Sequence, residues 1–423
     1  MSGLDDPSYF LSDRNPVANS DQRAIEALGL EVMDLPVVQA ARARTTAYWR
    51  KALEPDWDRE TEAALDAAMV EYAFNYVLKA VCSDASHPRI GQIFLPAHDG
   101  FGQPVPGSRI GGDNPDNIYR FIAIEHGAAY ELHGRADGIA PSNVIYSLVS
   151  NYGTTNTVAA IETPDIELAP DGSFVLTIDA EPAGARRNHL QTQPGTLFLF
   201  IRDTLGDWAR QTAMRLRIKR LTPPTADPLS AEEIGARAAV AMFDTMPLYY
   251  WYQRTHQHPI NRLELPKFGT LTGGPLSQVG GACGIRIEPG EAVIVKMRTG
   301  GAGYHSFVAH DMTFRTIDAG YRTSSFNPTQ AVPDPDGTVT YVVARRDPGV
   351  ANWVDIADLP RVIVIGRWQL LPPGDFTGGI DMKVVPLPEL DRHLPPRALT
   401  MTAGDRERQR AERTASSRRR LIA

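Results

Sequence analysis

The chain has 423 residues, 43% of them hydrophobic and 22% charged, with a formal net charge of -7. That length favours two lobes over one core, and the composition excludes collagen-like, disordered and membrane-embedded classes. An acidic body has no electrostatic footprint for nucleic acid, and no run approaches the ~20 apolar residues of a membrane span.

Met1 to Asn19 is polar and lacks the basic and apolar regions of a secretion signal. Cys82 and Cys283 lie far apart, which suits a reducing compartment, so a cytoplasmic location is expected. After Asp58, a plausible N-cap, Leu65, Met69, Tyr72 and Tyr76 recur at helical spacing, and a weaker pattern runs over Val37 to Leu53. Residues 1–87 are therefore predicted as a helical N-terminal segment.

From Pro88 the texture changes to short apolar runs broken by Gly, Pro, Asn and Asp. Strands are predicted at Ile118–Ile124, Ala129–Arg135, Val144–Ser150, Ser173–Asp179, Thr196–Arg202 and Met214–Leu221, making a first antiparallel sandwich lobe over 88–225. A Pro-rich linker follows, then the capping-box pair Ser230 and Glu233, a helix, and the aromatic run Tyr249 to Tyr252, within a linker over 226–284. Strand texture resumes over 285–390, the second lobe. Residues 391–423 form a basic tail with seven Arg and three acids between Asp405 and Arg420, expected to be flexible and solvated.

An internal echo unites the lobes. Asp171-Gly172-Ser173-Phe174, Asn188-His189-Leu190, the apolar run to Ile201, Arg202, Trp208 and Met214 to Ile218 appear in one. Asp336-Gly337-Thr338-Val339, Asn352-Trp353-Val354, Val362 to Ile365, Arg367, Trp368 and Asp381 to Val385 follow in the same order in the other. From Gly to Asn the gap is 16 residues and then 15; from Asn to Arg it is 14 and then 15. The predicted fold class is mainly β, with two similar jelly-roll-like antiparallel β-sandwich lobes from an internal duplication.

Gly111-Gly112-Asp113-Asn114-Pro115-Asp116-Asn117-Ile118-Tyr119 resembles the start of the first lobe in the bacterial family called domain of unknown function 1214, often found with domain of unknown function 1254. Arg322 to Asn327, Gln330-Ala331, Pro333 to Gly337, Arg346 to Gly349, Asn352 to Asp355 and Arg367-Trp368 are similar to that family's C-terminal signature. The resemblance covers most of residues 105–390 and implies β-sandwich lobes side by side, with no activity assigned. Phe326 and Val354 stand where the family usually has Leu, and Ile356 to Leu359 replaces a segment that normally carries a His. Relatives often carry a secretion signal.

Candidate chemistry centres on the second lobe. His310, Asp311 and Asp355 are candidate acid/base residues, provided that tertiary contacts bring Asp355 in; His305 and His310 should point to opposite faces of one strand. Arg322, Ser325, Asn327, Gln330 and Arg367 are candidate substrate-binding groups, because Arg can pair a carboxylate or sulfate bidentately. The competing reading is that Asp334, Asp347 and Asp355 pair with Arg322, Arg345 and Arg367 to pin long loops. Trp251 and Tyr252 would line an apolar or sugar ligand, or the aromatic run would plug the space between lobes. His256, His258 and Glu264 have imperfect cupin-like spacing, and neither metal nor cofactor is predicted. The chain has no Gly-x-Ser-x-Gly elbow and no phosphate loop. The expected function is an enzyme acting on a small apolar or glycan-like metabolite in an inter-lobe cleft; the alternative is a non-catalytic ligand-binding or homo-oligomeric assembly module.

Overall fold

The computed structural model of the protein describes residues 9, 11–54, 58–153, 156–263, 267–268, 277–395 and 399–420. Helices come first: α1 (Ser20–Met33), α2 (Pro36–Leu53) and α3 (Arg59–Val81). The Asp58 carboxylate accepts the Thr61 backbone N–H at 2.7 Å, capping α3, and Leu65, Met69, Tyr72 and Tyr76 are all buried. α1 buries Gln22, Glu26 and Gly29 among its apolar residues, so its apolar stripe is broken in the sequence. Gln22 Nε2 donates to Glu26 Oε1 at 2.9 Å, which pairs two of these polar groups inside the core.

Each lobe is a pair of sheets. In the first, β1 (Gly91–Ile93), β2 (Asn117–Ala123), β8 (Phe198–Thr204), β4 (Asn143–Val149) and β5 (Thr157–Glu162) form one sheet in that order. β7 (His189–Gln191), β6 (Ser173–Asp179), β3 (Tyr130–Arg135) and β9 (Arg215–Arg220) form the other. In the second lobe the orders are β10 (Lys267–Phe268), β11 (Val279–Arg286), β17 (Arg361–Gln369), β13 (Tyr304–His310) and β14 (Ser325–Phe326), then β16 (Trp353–Asp355), β15 (Val339–Ala344), β12 (Glu291–Arg298) and β18 (Gly379–Pro386).

Every strand thus has a counterpart nine strands later in the same sheet position. Each lobe also has one parallel pair, β6 with β7 and β15 with β16, among otherwise antiparallel neighbours. The register extends the match to single residues. Arg202 lies opposite Ile145 and Arg367 opposite Ser306, so placing one arginine on the other also superposes Asn143 on Tyr304, the first residues of β4 and β13. The echo of Trp208 and Trp368 does not hold: Trp208 follows β8, whereas Trp368 lies within β17 and faces the sandwich core.

Alternate residues of the paired sheets meet in each sandwich, with Ile122, Leu132, Tyr146 and Leu176 in the first and Val295, Phe307, Tyr341 and Val364 in the second. The other faces of the two five-stranded sheets do not see solvent. Phe121, Phe198 and Phe200 from one, and Ile363 and Ile365 from the other, pack into a single core with α3 and α4 (Ala231–His256). Ser230 and Glu233 close the capping box that starts α4. Tyr249 meets Tyr72 and Tyr76 edge-on, so the aromatic run is part of a plug between the lobes, while Trp251 is 48% exposed on the opposite side of the helix.

The predicted flexible tail is instead an ordered helix, α5 (Ala403–Arg420), with Arg406, Arg413 and Arg420 buried at seven-residue spacing. Its arginines stack on aromatic rings, Arg406 over Trp353 and both Arg413 and Arg420 over Trp208. Arg406 also pairs with Asp347 and Arg410 with Asp355. A charged composition hid a docked helix because the apolar partners belong to the lobes. Among the described residues no helix is long and apolar enough to cross a membrane.

Candidate functional site

The lobes meet along a seam that the Gly111 to Asn117 turn threads. Gly111 and Gly112 both adopt positive φ, 63° and 73°, and a Cβ would fall 2.2 Å from the Tyr249 ring at the first and 2.7 Å from Phe314 at the second. The Gly112 N–H donates to the Phe314 carbonyl at 2.9 Å, and Phe314 itself holds φ 67°, a costly region for a non-glycine residue. This brings the first lobe's turn against the loop that follows β13. Asp113 accepts from the Thr316 backbone and hydroxyl, and burial lifts its carboxyl to about pKa 6.

Asp116 is the hub of the seam. It accepts from Trp208 Nε1 at 2.7 Å, the Tyr304 hydroxyl at 2.6 Å and Asn327 Nδ2 at 2.9 Å, which ties both lobes to one fully buried carboxylate. At the next layer Gln369 Oε1 receives Asn143 Nδ2 at 3.3 Å.

Beyond this polar knot stand the two corresponding arginines. Arg202 is 6% exposed and Arg367 7%. Arg202 Nη1 donates to the Ser147 hydroxyl at 3.3 Å and the guanidinium stacks on Phe200. Arg367 donates to the Gly112 carbonyl through Nη2, and its Nη1 is buried without a partner among the described residues. Neither forms an ion pair with a carboxylate among the described residues. Both face the same place. Tyr119 lies beside Arg202 across β2 and β8, and its hydroxyl accepts the Asn114 N–H at 2.8 Å, two residues from the carbonyl that holds Arg367. Burial raises the Tyr119 phenol, and both guanidinium groups pull it back down. Burial also brings Arg202 down to about pKa 10, and raises Tyr252 against the pull of Arg202.

The last turn of α4 completes the wall. Gly284 of β11 has no side chain to hold the helix off: a Cβ there would sit 2.2 Å from the Gln257 carbonyl. The His256 ring is thereby seated 5.3 Å from both Tyr252 and Phe314. The cupin-like trio fails on this ground, since His256 ends a helix rather than lying on a strand; Glu264 lies outside the described residues. Among the described residues no group of three or more His, Cys, Asp and Glu side chains is placed to hold a metal ion.

The other predicted residues do not assemble into one site. His310 is fully buried, its Nε2 2.8 Å from the Asp113 carbonyl, and Asp311 pairs with Arg315. Asp355 is held by Arg322 and Arg410, and Ser325 accepts from Arg413. The acid/base trio His310, Asp311 and Asp355 is thus dispersed, because two members are neutralised by local arginines and the third bonds to the backbone. Asn327 serves Asp116, and Gln330 Oε1 is buried without a partner among the described residues. Of the predicted binding groups, Arg367 and Tyr252 reach the seam wall; Trp251 does not.

A cavity of about 230 Å³ does border Asp311 and Arg322, together with Arg109, Arg315 and Arg361. Its arginines are already matched: Arg109 and Arg315 to Glu71, Arg361 to Asp58 and Arg322 to Asp355. Charge saturation there leaves nothing for a ligand to neutralise, unlike the seam. Sequence reasoning overlooked Arg202 and Tyr119 as site residues. The signal was available, because the echo sets Arg202 on Arg367.

Fold and seam together define a bilobal protein of two duplicated β-sandwiches clasping a helical wedge. An uncharacterised protein from Burkholderia cenocepacia shares this fold at a TM-score of 0.70 and 22% identity, over 85% of this chain and 99% of that one. A protein from Vibrio parahaemolyticus aligns at a TM-score of 0.38 and 9% identity, over 76% of this chain and 99% of its own. No family model and no curated protein matches the chain.

Proposed function

We propose that the protein is an enzyme that takes a small organic anion, with an apolar or glycan-like body, in the seam between its lobes. One observation carries this reading: Arg202 and Arg367 bring two nearly buried guanidinium groups to the seam without a carboxylate partner among the described residues. Burying an uncompensated charge costs several kcal/mol, at least ~3 by the measured effect of orphaning one member of a buried pair. A ligand acid group would supply the missing charge, and Tyr119, Phe200, Tyr252 and Phe314 would contact its apolar body. Kinship with domain of unknown function 1214 belongs to the same proposal, supported by the Gly111 to Tyr119 and Arg367-Trp368 motifs bordering the seam. So does a cytoplasmic location, in keeping with two buried free thiols.

Calorimetry with benzoate, phenyl phosphate and glucuronate, against neutral benzamide, tests the reading. An anion should bind and benzamide should not, and Arg202→Gln or Arg367→Gln should weaken binding by about ten-fold or more, or at least 1.4 kcal/mol. Anions that bind equally well to both variants, or none that binds to the folded protein, would sink it. The non-catalytic alternative shares the binding result and differs in showing no turnover.

A further inference from the structure

Three histidines lie at or near the central strands of the second lobe, and their hydrogen bonds separate them. His310 has both ring nitrogens facing carbonyls, Nε2 to Asp113 at 2.8 Å and Nδ1 to Ile363 at 3.4 Å, in a fully buried place. His305 points the other way along β13 and sits beside Trp368 in the sandwich, with neither nitrogen bonded among the described residues. His256 differs from both. Its Nδ1 lies 2.8 Å from the Tyr252 carbonyl. The Thr255 hydroxyl, 3.2 Å from the same nitrogen, already donates to the Trp251 and Tyr252 carbonyls, and a carbonyl can only accept, so Nδ1 carries the proton and Nε2 keeps its lone pair. Among the described residues no group is bonded to Nε2, and the ring is only partly buried, close enough to Arg367 to feel its charge. Burial lowers the ring's pKa from the ordinary 6.5, the Tyr252 bond opposes this, and Arg367 adds to the fall, so the ring is neutral near pH 7, as a proton acceptor requires.

We propose that His256 is the acid/base residue of the seam, removing a proton beside the acid group of an organic anion held by Arg202 and Arg367. This rests on the reading of the seam as an anion site. In the step, a substrate C–H or O–H bond breaks and its proton moves to His256 Nε2, giving an imidazolium with both nitrogens protonated. The electron pair stays on the substrate, where the free Nη1 of Arg367 meets the developing charge. Return of the proton to another substrate atom restores neutral His256, so the cycle needs no oxidant, reductant or second substrate. Tyr252 acts as the positioning residue, since its carbonyl fixes the tautomer.

Two measurements on the full-length protein test this. The first is mass-spectrometric mapping of diethyl pyrocarbonate modification, with benzoate or phenyl phosphate as competitor. His256 should react well before His305 and His310, and a bound anion should protect it in the wild type but not in the Arg202→Gln/Arg367→Gln double variant. His256 reacting no faster than His310 overturns the proposal. An anion that binds by calorimetry yet gives no protection overturns it too, while leaving the binding site standing; if no anion binds, both readings fall. The second is proton exchange: phenylacetate, mandelate and glucuronate, each with a C–H beside its acid group, are incubated with the protein in D2O and followed by NMR. An acid that binds should take up deuterium, and His256→Gln, shown to be folded by its melting temperature, should slow uptake by about 100-fold or more. Unchanged uptake in His256→Gln, or none with any acid that binds, removes His256 from the chemistry.

Discussion

Thr204 and Gln369 hold corresponding places in the two lobes and touch each other, Thr204 Oγ1 lying 3.4 Å from Gln369 Oε1. Contact between equivalent positions is what a two-fold relation between copies produces, as in an isologous interface. Two residues back along each strand stand Arg202 and Arg367, so the same relation brings like charge from both lobes to one seam. Equivalence here works against stability, because duplicated arginines cannot neutralise one another. Arg202→Met keeps the packing on Phe200 and removes a charge that donates to the Ser147 hydroxyl. The ligand-free variant should gain about 1 kcal/mol in urea unfolding, the direction expected when a binding site gives up function for stability. A loss would show that the charge is already compensated.

Asp116 makes the opposite case. Three donors from β13, the β14 loop and Trp208 converge on it, and its carboxylate is inaccessible to water. Asp116→Ala would orphan all three in the seam. The expected cost is about 3 kcal/mol or more, since each stranded buried donor costs ~1–3 kcal/mol. Chemical denaturation followed by tryptophan fluorescence checks this, and Trp208 should report the change directly; a cost below that of one lost bond would mean water replaces the carboxylate.

How far the sequence discloses this arrangement depends on where each signal lies. The duplication is legible because Asp-Gly turns and alternating strands repeat in order, and β6 occupies the very residues that alternation marks, Ser173 to Asp179. α3 is legible through its cap and stripe. By contrast β1 and β7 have three residues each, too few for alternation to register. α5 escapes because its buried positions are three arginines and one serine, and the arginines' aromatic partners Trp208 and Trp353 are distant in sequence. The acid/base trio misleads for a related reason. Sequence proximity of His310 and Asp311 says nothing of Arg315, which neutralises the acid, or of Asp113, whose carbonyl occupies the ring.

Lys79 supplies a pH test of the helical wedge. It is fully buried on α3, donates to the Tyr152 carbonyl at 2.8 Å and lies over the Tyr76, Phe94 and Phe121 rings, with no carboxylate partner among the described residues. Burial lowers its pKa to about 7 from an ordinary 10.5. Between these values the unfolded chain binds the proton that the folded chain has released, so unfolding takes up a proton and stability rises with pH. The slope from this one group is at most about 1.4 kcal/mol per pH unit across that window, and it vanishes below pH 7, where both states are protonated. Lys79→Met should therefore be more stable than the wild type at pH 7 and should lack this part of the rise between pH 7 and 10. Parallel urea titrations of the two proteins at pH 7, 8, 9 and 10 decide the matter: equal pH slopes would place the lysine charge in contact with water, in conflict with its burial beneath Tyr152.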